Sequence, residues 1–266
     1  MENNAKNIDM MSDSEITKSD RTVDLGGFKM QDELNPRIWD EDQKLRPEIR
    51  KTLLKIADDY FQGLELEGVD IEDVTFTGSL ANYNWSKYSD IDLHILIDYK
   101  EVPVDESLVQ DFLKSKSSAW NQGHDVKIYG YDLELYVQDI NEKHISSGVY
   151  SILNNEWLVK PEKKPIKIDN INVKLKAGRI MDSIDDLYDE MKTEKDYTKI
   201  VDKADKITDK IKKMRQAGLD ESGEFSVENI VFKVLRRNGM LDRLYDIKLV
   251  AYDKSVSLPK TKNNKK

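Results

Sequence analysis

Cysteine is absent from all 266 residues, which excludes a disulfide framework, a thiolate metal site and a cysteine nucleophile. No apolar run approaches the roughly 18 residues that a membrane helix needs. The opening residues, MENNAKNIDMMSDSEITKSD, lack the apolar core of a secretory signal. Histidine is scarce: His94 follows an acidic pair, while His124 and His144 fall in expected loops without metal-ligand spacing, so no zinc site is expected. Basic charge is short as well, with 42 Lys and Arg against 51 Asp and Glu and a formal net charge of −9. Nucleic-acid backbone affinity comes from neutralising phosphates, so non-specific nucleic-acid binding is not expected, although a local basic groove is still open. A soluble, cytoplasmic protein without a membrane partner is the expectation.

What is present begins after a polar stretch. Residues 1–33 carry no apolar periodicity and read as a flexible arm or a loosely docked strand. Ile49, Leu53, Ile56 and Tyr60 then recur at helical spacing behind Pro47, a residue suited to a first helical turn. Val74 and Phe76 mark a short strand, and IDLHILID a longer one. Between them a short helix and a loop are expected. A helix over Ser107–Trp120 is expected to turn Leu108, Phe112 and Ala119 inward. DVKIYGYDLELYVQD reads as one strand kinked at Gly130. This alternation of strands and helices predicts an α/β or α+β domain.

WLVKPEKKPIKIDN, rich in Lys and Pro, reads as a linker. Beyond it the period is helical. Val173, Ala177, Ile180, Ile184, Leu187 and Met191 form one face, and Ile200, Ala204, Ile207, Ile211 and Met214 a second. Ser226 is a plausible N-cap for Ile230, Val231, Val234 and Leu235, with Gly239 as a stop before a last helix. The expected domains are an arm at 1–33, a core at 34–160, a bundle of about four helices at 161–253 and a basic, disordered tail at 254–266.

The chemistry concentrates in GSLANYNWSKYSDIDL. On a strand, Asp90, Asp92 and His94 share one face and Ile91, Leu93 and Ile95 the other. Two carboxylates so close repel unless a cation lies between them, and Mg²⁺ favours carboxylates plus substrate phosphates. Gly78 allows a phosphate to approach the backbone, a following helix N-terminus offers N–H groups, and Ser79 adds a hydroxyl donor. Phosphoryl or nucleotidyl transfer suits that combination.

Gly78-Ser79, ten intervening residues and Asp90-Ile-Asp92-Leu resemble the hallmark of the DNA polymerase beta-like nucleotidyltransferase superfamily. A broader resemblance, to nucleotidyltransferases of large tailed bacteriophages, runs into GEFSVENIVFKVLRRNG and would place the protein in a host cytoplasm. It brings no acceptor with it. The resemblance implies an α/β (α+β) core with a mixed sheet, followed by a C-terminal helical bundle. It implies transfer of a nucleoside monophosphate from a nucleoside triphosphate, with Mg²⁺ or Mn²⁺ held by Asp90 and Asp92 and the triphosphate by Gly78 and Ser79. A third carboxylate on a later strand is also implied. GYDLELYV offers Asp132 and Glu134 on one face, and Glu134 is favoured as metal ligand or base because Leu133 and Leu135 flank it. Lys174 and Lys176 are the candidates for a basic contact from the helical part. The bland reading of each lysine is a solvated face.

Other residues stay open in the sequence. His94 is expected to hydrogen-bond a neighbour. Tyr83, Trp85 and Tyr88 fit either base stacking or loop anchoring. The acceptor is a small molecule or protein, an RNA end, or a second nucleotide. A non-catalytic nucleotide-binding protein is the contrasting reading.

Overall fold

The computed structural model describes residues 23, 25, 27–142, 146–163 and 168–258. Among them are six α-helices and a six-stranded mixed sheet, an α+β fold. The chain forms two compact units, one spanning residues 26–167 and the other including residues 168–258. No described helix is long and apolar enough to cross a membrane.

The first unit holds α1 (Pro47–Gln62), β1 (Asp73–Thr77), β2 (Ile91–Ile97), α2 (Glu106–Gly123), β3 (Lys127–Ile128), β4 (Tyr131–Asp139), β5 (Val149–Ser151) and β6 (Glu156–Val159). The strands lie in the order β3-β4-β2-β1-β5-β6. Only β2 and β4 run parallel, as a crossover through α2 requires. Val74, Phe76, Leu93, Ile95, Leu133 and Leu135 join Ile49, Leu53, Ala57, Val109 and Leu113 in one buried core. Trp39, 2% exposed, stacks on Phe76 and Trp157 at 5.6 and 4.5 Å and meets Tyr150 edge-on.

Several local expectations are corrected. The inward face of α2 is Val109, Leu113 and Ser117, whereas Leu108 and Phe112 are 62% and 42% exposed and Ala119 is exposed too. Those two stripes are one residue apart, about 100° around the helix. Ser117 lies inward because its hydroxyl is 3.2 Å from the Tyr60 hydroxyl. The kinked strand is instead a hairpin: Tyr129 and Gly130, both at positive φ, fold β3 back on β4. Part of the expected linker is β6, which pairs with β5. The arm is docked at its end, where Gln31 bonds the Tyr83 and Trp85 carbonyls at 2.7 and 3.0 Å. Most of residues 1–26 lie outside the described residues.

The second unit packs α3 (Asn170–Thr193), α4 (Tyr197–Ser222), α5 (Val227–Arg237) and α6 (Met240–Val256) on one another. The expected α3 face is buried throughout. On α4, Ile200, Ala204 and Ile211 are buried, while Ile207 and Met214 are half-buried. Ser226 caps α5 by accepting from the Asn229 N–H at 3.2 Å. Residues 254–256, expected in the tail, continue α6, and 259–266 lie outside the described residues.

A buried ion pair was not legible in the helical pattern. Asp185 on α3, its side chain 5% exposed, lies 3.3 Å from Arg243 on α6, whose guanidinium also covers the Tyr188 ring at 4.3 Å. Removing Asp185 leaves the half-buried Arg243 guanidinium without this carboxylate, at a cost below the roughly 3–5 kcal/mol of a fully buried pair. Asp185→Ala is therefore expected to lower the urea midpoint strongly. Asp185→Leu/Arg243→Met is expected to recover most of that loss.

Candidate active site

The site arises from the register of three strands. Residues directly opposite in neighbouring strands share a face. β1 sets Thr77 against Asp92 and Thr75 against His94. β4 sets Glu134 against Asp92 and Tyr136 against His94. The polar alternate positions of all three strands thus meet on one side of the sheet, and the apolar ones face the helices. Asp90 directly precedes β2, and Asp92 is its second residue.

Asp90, Asp92 and Glu134 each offer a carboxylate oxygen, and these lie within 4.8 Å of one another. All three residues are half-buried. Like charges at that distance repel by roughly 3 kcal/mol per pair at an effective dielectric of about 20. Three converging carboxylates are a donor set for a hard cation, so the cluster can hold a metal ion. The negative field reaches Tyr136, whose phenol donates to Glu134 Oε2. Its pKa is pushed up, first by burial, then by that hydrogen bond and by the charges of Glu134, Asp92 and Asp90.

Asp132 is not part of the cluster. It faces Lys127 across the hairpin, and the two form an ion pair. Its side chain is 66% exposed. Of the two, only Glu134 is opposite Asp92 and belongs to the cluster.

Gly78 is fitted to the cluster. Its φ of 80° and ψ of −164° lie in a region that only glycine occupies readily. A Cβ built there would stand 1.8 Å from Asp92 Oδ2. The glycine thus lets the turn lie directly against the carboxylate.

The helix expected after Gly78-Ser79 is a single 3₁₀ turn, Ser79–Ala81, ended by Asn82 in extended conformation. So short a piece has no macrodipole of consequence, and the turn offers an anion only its few free N–H groups. The Ser79 hydroxyl donates to Ser89 Oγ at 2.7 Å, which also accepts from the Ser86 N–H at 3.0 Å. That bond closes the ten-residue excursion between the glycine turn and Asp90.

The turn is held at Leu80 and Ala81 by residues that sequence reasoning missed. Trp39 Nε1 donates to the Leu80 carbonyl at 2.7 Å. Gly148 lies so near the next carbonyl that a Cβ would stand 2.0 Å from the Ala81 oxygen. Gly148→Ala is expected to cost about 1–3 kcal/mol by overpacking. A lowered urea midpoint together with weakened metal binding would show that the strain reaches the turn.

The remaining candidates are distributed as follows. His94 Nδ1 sits 3.0 Å from Gln138 Oε1, and its ring lies 5.2 Å from Tyr136, the neighbour-bonded role expected of it. Trp85 Nε1 donates to the Glu33 carbonyl at 2.9 Å, and Tyr83 and Trp85 pack on the core, so both are loop anchors. Tyr88 is 45% exposed beneath Lys87, whose ammonium is 4.7 Å from its ring. His124 stacks on Trp120, and His144 lies outside the described residues.

Lys174 and Lys176 belong to the helical unit. The Lys176 ammonium pairs with Glu228 and holds that carboxyl below its usual range. Lys174 is exposed, with no acid paired to it among the described residues.

No family model matches the chain, and no similar curated protein or solved structure is found.

Proposed function

We propose that the protein is a metal-dependent nucleotidyltransferase that moves a nucleoside monophosphate from a nucleoside triphosphate to a hydroxyl-type acceptor. The observation that carries this is the convergence of Asp90, Asp92 and Glu134 within 4.8 Å, beside a turn whose glycine leaves room for Asp92. Asp90, Asp92 and Glu134 would hold Mg²⁺ or Mn²⁺. When bound, such ions neutralise triphosphate charge and polarise the phosphorus centre under attack. The all-oxygen donor set fits these hard cations.

The chain's own residues do the rest. Gly78 keeps the turn without a side chain where the Asp92 carboxylate lies against it, and Trp39 and Gly148 hold the residues that follow. Ser79 ties the turn to Ser89, directly before Asp90. The acceptor hydroxyl oxygen forms a bond to the α-phosphorus and gives its proton to Glu134 or to water, the bond from that phosphorus to the α–β bridging oxygen breaks, and pyrophosphate leaves with that oxygen. The resemblance of the Gly-Ser and Asp-x-Asp pattern supports the same reading.

The test is incubation with each α-labelled nucleoside triphosphate, Mg²⁺ or Mn²⁺ and a cell lysate, alongside Asp90→Ala/Asp92→Ala. Label transferred by the wild type alone is the expected result, and the labelled species reports the acceptor class. Absence of transfer, together with absence of metal-dependent nucleotide binding by calorimetry, would sink the proposal and leave a fold kept for interaction.

A further inference from the structure

We propose that Tyr136 is a positioning residue that fixes the orientation of Glu134 for metal binding. The inference rests on the metal reading of the acidic cluster. Glu134 comes from a different strand than Asp90 and Asp92, and three rotatable bonds separate its carboxylate from β4. Left alone, that carboxylate would turn away from two negative neighbours. The Tyr136 phenol opposes this by donating to Glu134 Oε2 from two residues along the same face. One oxygen is thereby engaged as an acceptor, and the carboxylate plane is set.

Tyr136 is itself held. Its ring lies 5.2 Å from the His94 ring at an interplanar angle of 31°. His94 is in turn bound to Gln138 at 3.0 Å. The row Glu134, Tyr136, His94 and Gln138 thus links β4 to β2 and back, on the face that carries the cluster. A hydrogen-bond donor behind a metal-ligating carboxylate sets its geometry, and losing such a partner typically weakens metal affinity about 10–100-fold.

The experiment is Mn²⁺ titration of the full chain by calorimetry. Wild type, Tyr136→Phe, Glu134→Gln and the double variant are compared, each with its metal-free melting temperature. Tyr136→Phe keeps the ring and removes only the hydroxyl. The expected result is Mn²⁺ affinity about 10–100-fold weaker in Tyr136→Phe. The same substitution should have little further effect in the Glu134→Gln background, because it acts through that carboxylate.

Equal affinity in Tyr136→Phe and wild type would overturn the proposal while leaving the metal reading intact. So would an equal loss with and without Glu134. A wild type that binds no Mn²⁺ would overturn both. Should Tyr136→Phe not fold, His94→Ala decides: a smaller loss in the same direction supports the proposal, and unchanged affinity overturns it.

Discussion

Gly78→Ala is expected to abolish the proposed nucleotidyl transfer and to weaken divalent-metal binding severely, although it adds one methyl group and removes no functional group. The backbone of Gly78 is at φ 80° and ψ −164°, which costs a residue with a Cβ about 1–3 kcal/mol. The larger effect is local. The new carbon would stand 1.8 Å from Asp92 Oδ2 and 2.9 Å from its carboxyl carbon, so turn and carboxylate cannot both keep their places. Asp92 is the easier to move, because Trp39 bonds the turn at Leu80 and Gly148 lies tight against it at Ala81. Misplacement of a reacting group by about 1 Å costs on the order of a hundredfold in rate. A carboxylate turned out of the cluster loses more. The check is a double-mutant cycle with Asp92→Ala, reading Mn²⁺ affinity and transfer rate. If the methyl acts by displacing Asp92, the double variant binds Mn²⁺ as Asp92→Ala alone does. Wild-type metal affinity in Gly78→Ala would show that Asp92 is not the residue the turn accommodates.

The site was more legible in the sequence than the sheet around it, for a physical reason. Period-two alternation through Asp90, Asp92 and His94 against Ile91, Leu93 and Ile95 records one polar and one buried face, and β2 is central enough to keep both faces distinct. β6 is an edge strand with mostly exposed side chains, so Glu156–Val159 shows no such alternation and sank into the Lys-rich stretch after it. β3 has two residues, too few for any period. The buried face of α2 is hidden in the sequence because Leu108 and Phe112 outweigh Val109, Leu113 and Ser117 in apolar bulk. Packing against β4 favours the smaller stripe, and the exposed Phe112 ring lies beneath the Lys116 ammonium at 5.3 Å. Tyr136 was within reach, since it follows Glu134 on the same face. Trp39 and Gly148 were not, because each acts on the glycine turn through a contact distant in sequence.

Glu134 and Asp132 give the second large effect, since alternation alone cannot separate them. Both lie on β4 two residues apart and point to one side of the sheet. Register divides them: Glu134 is opposite Asp92, whereas Asp132 is opposite Lys127 and paired with it at the surface. Glu134→Gln keeps shape and removes charge from the cluster. Metal stabilisation of transition-state charge is worth several kcal/mol, so a loss on the order of a thousandfold in transfer rate is expected, at about 1.4 kcal/mol per factor of ten. Asp132→Asn breaks an exposed ion pair worth at most about 1 kcal/mol and is expected to leave transfer within roughly twofold of wild type. Single-turnover rates at saturating Mg²⁺, with Mn²⁺ affinities measured in parallel, distinguish the two. Equal losses in both variants would mean that the acidic field of this face matters and the three-carboxylate geometry does not. A loss confined to Asp132→Asn would move the third carboxylate to the hairpin end of β4 and break the link between strand register and chemistry on which the proposed mechanism depends.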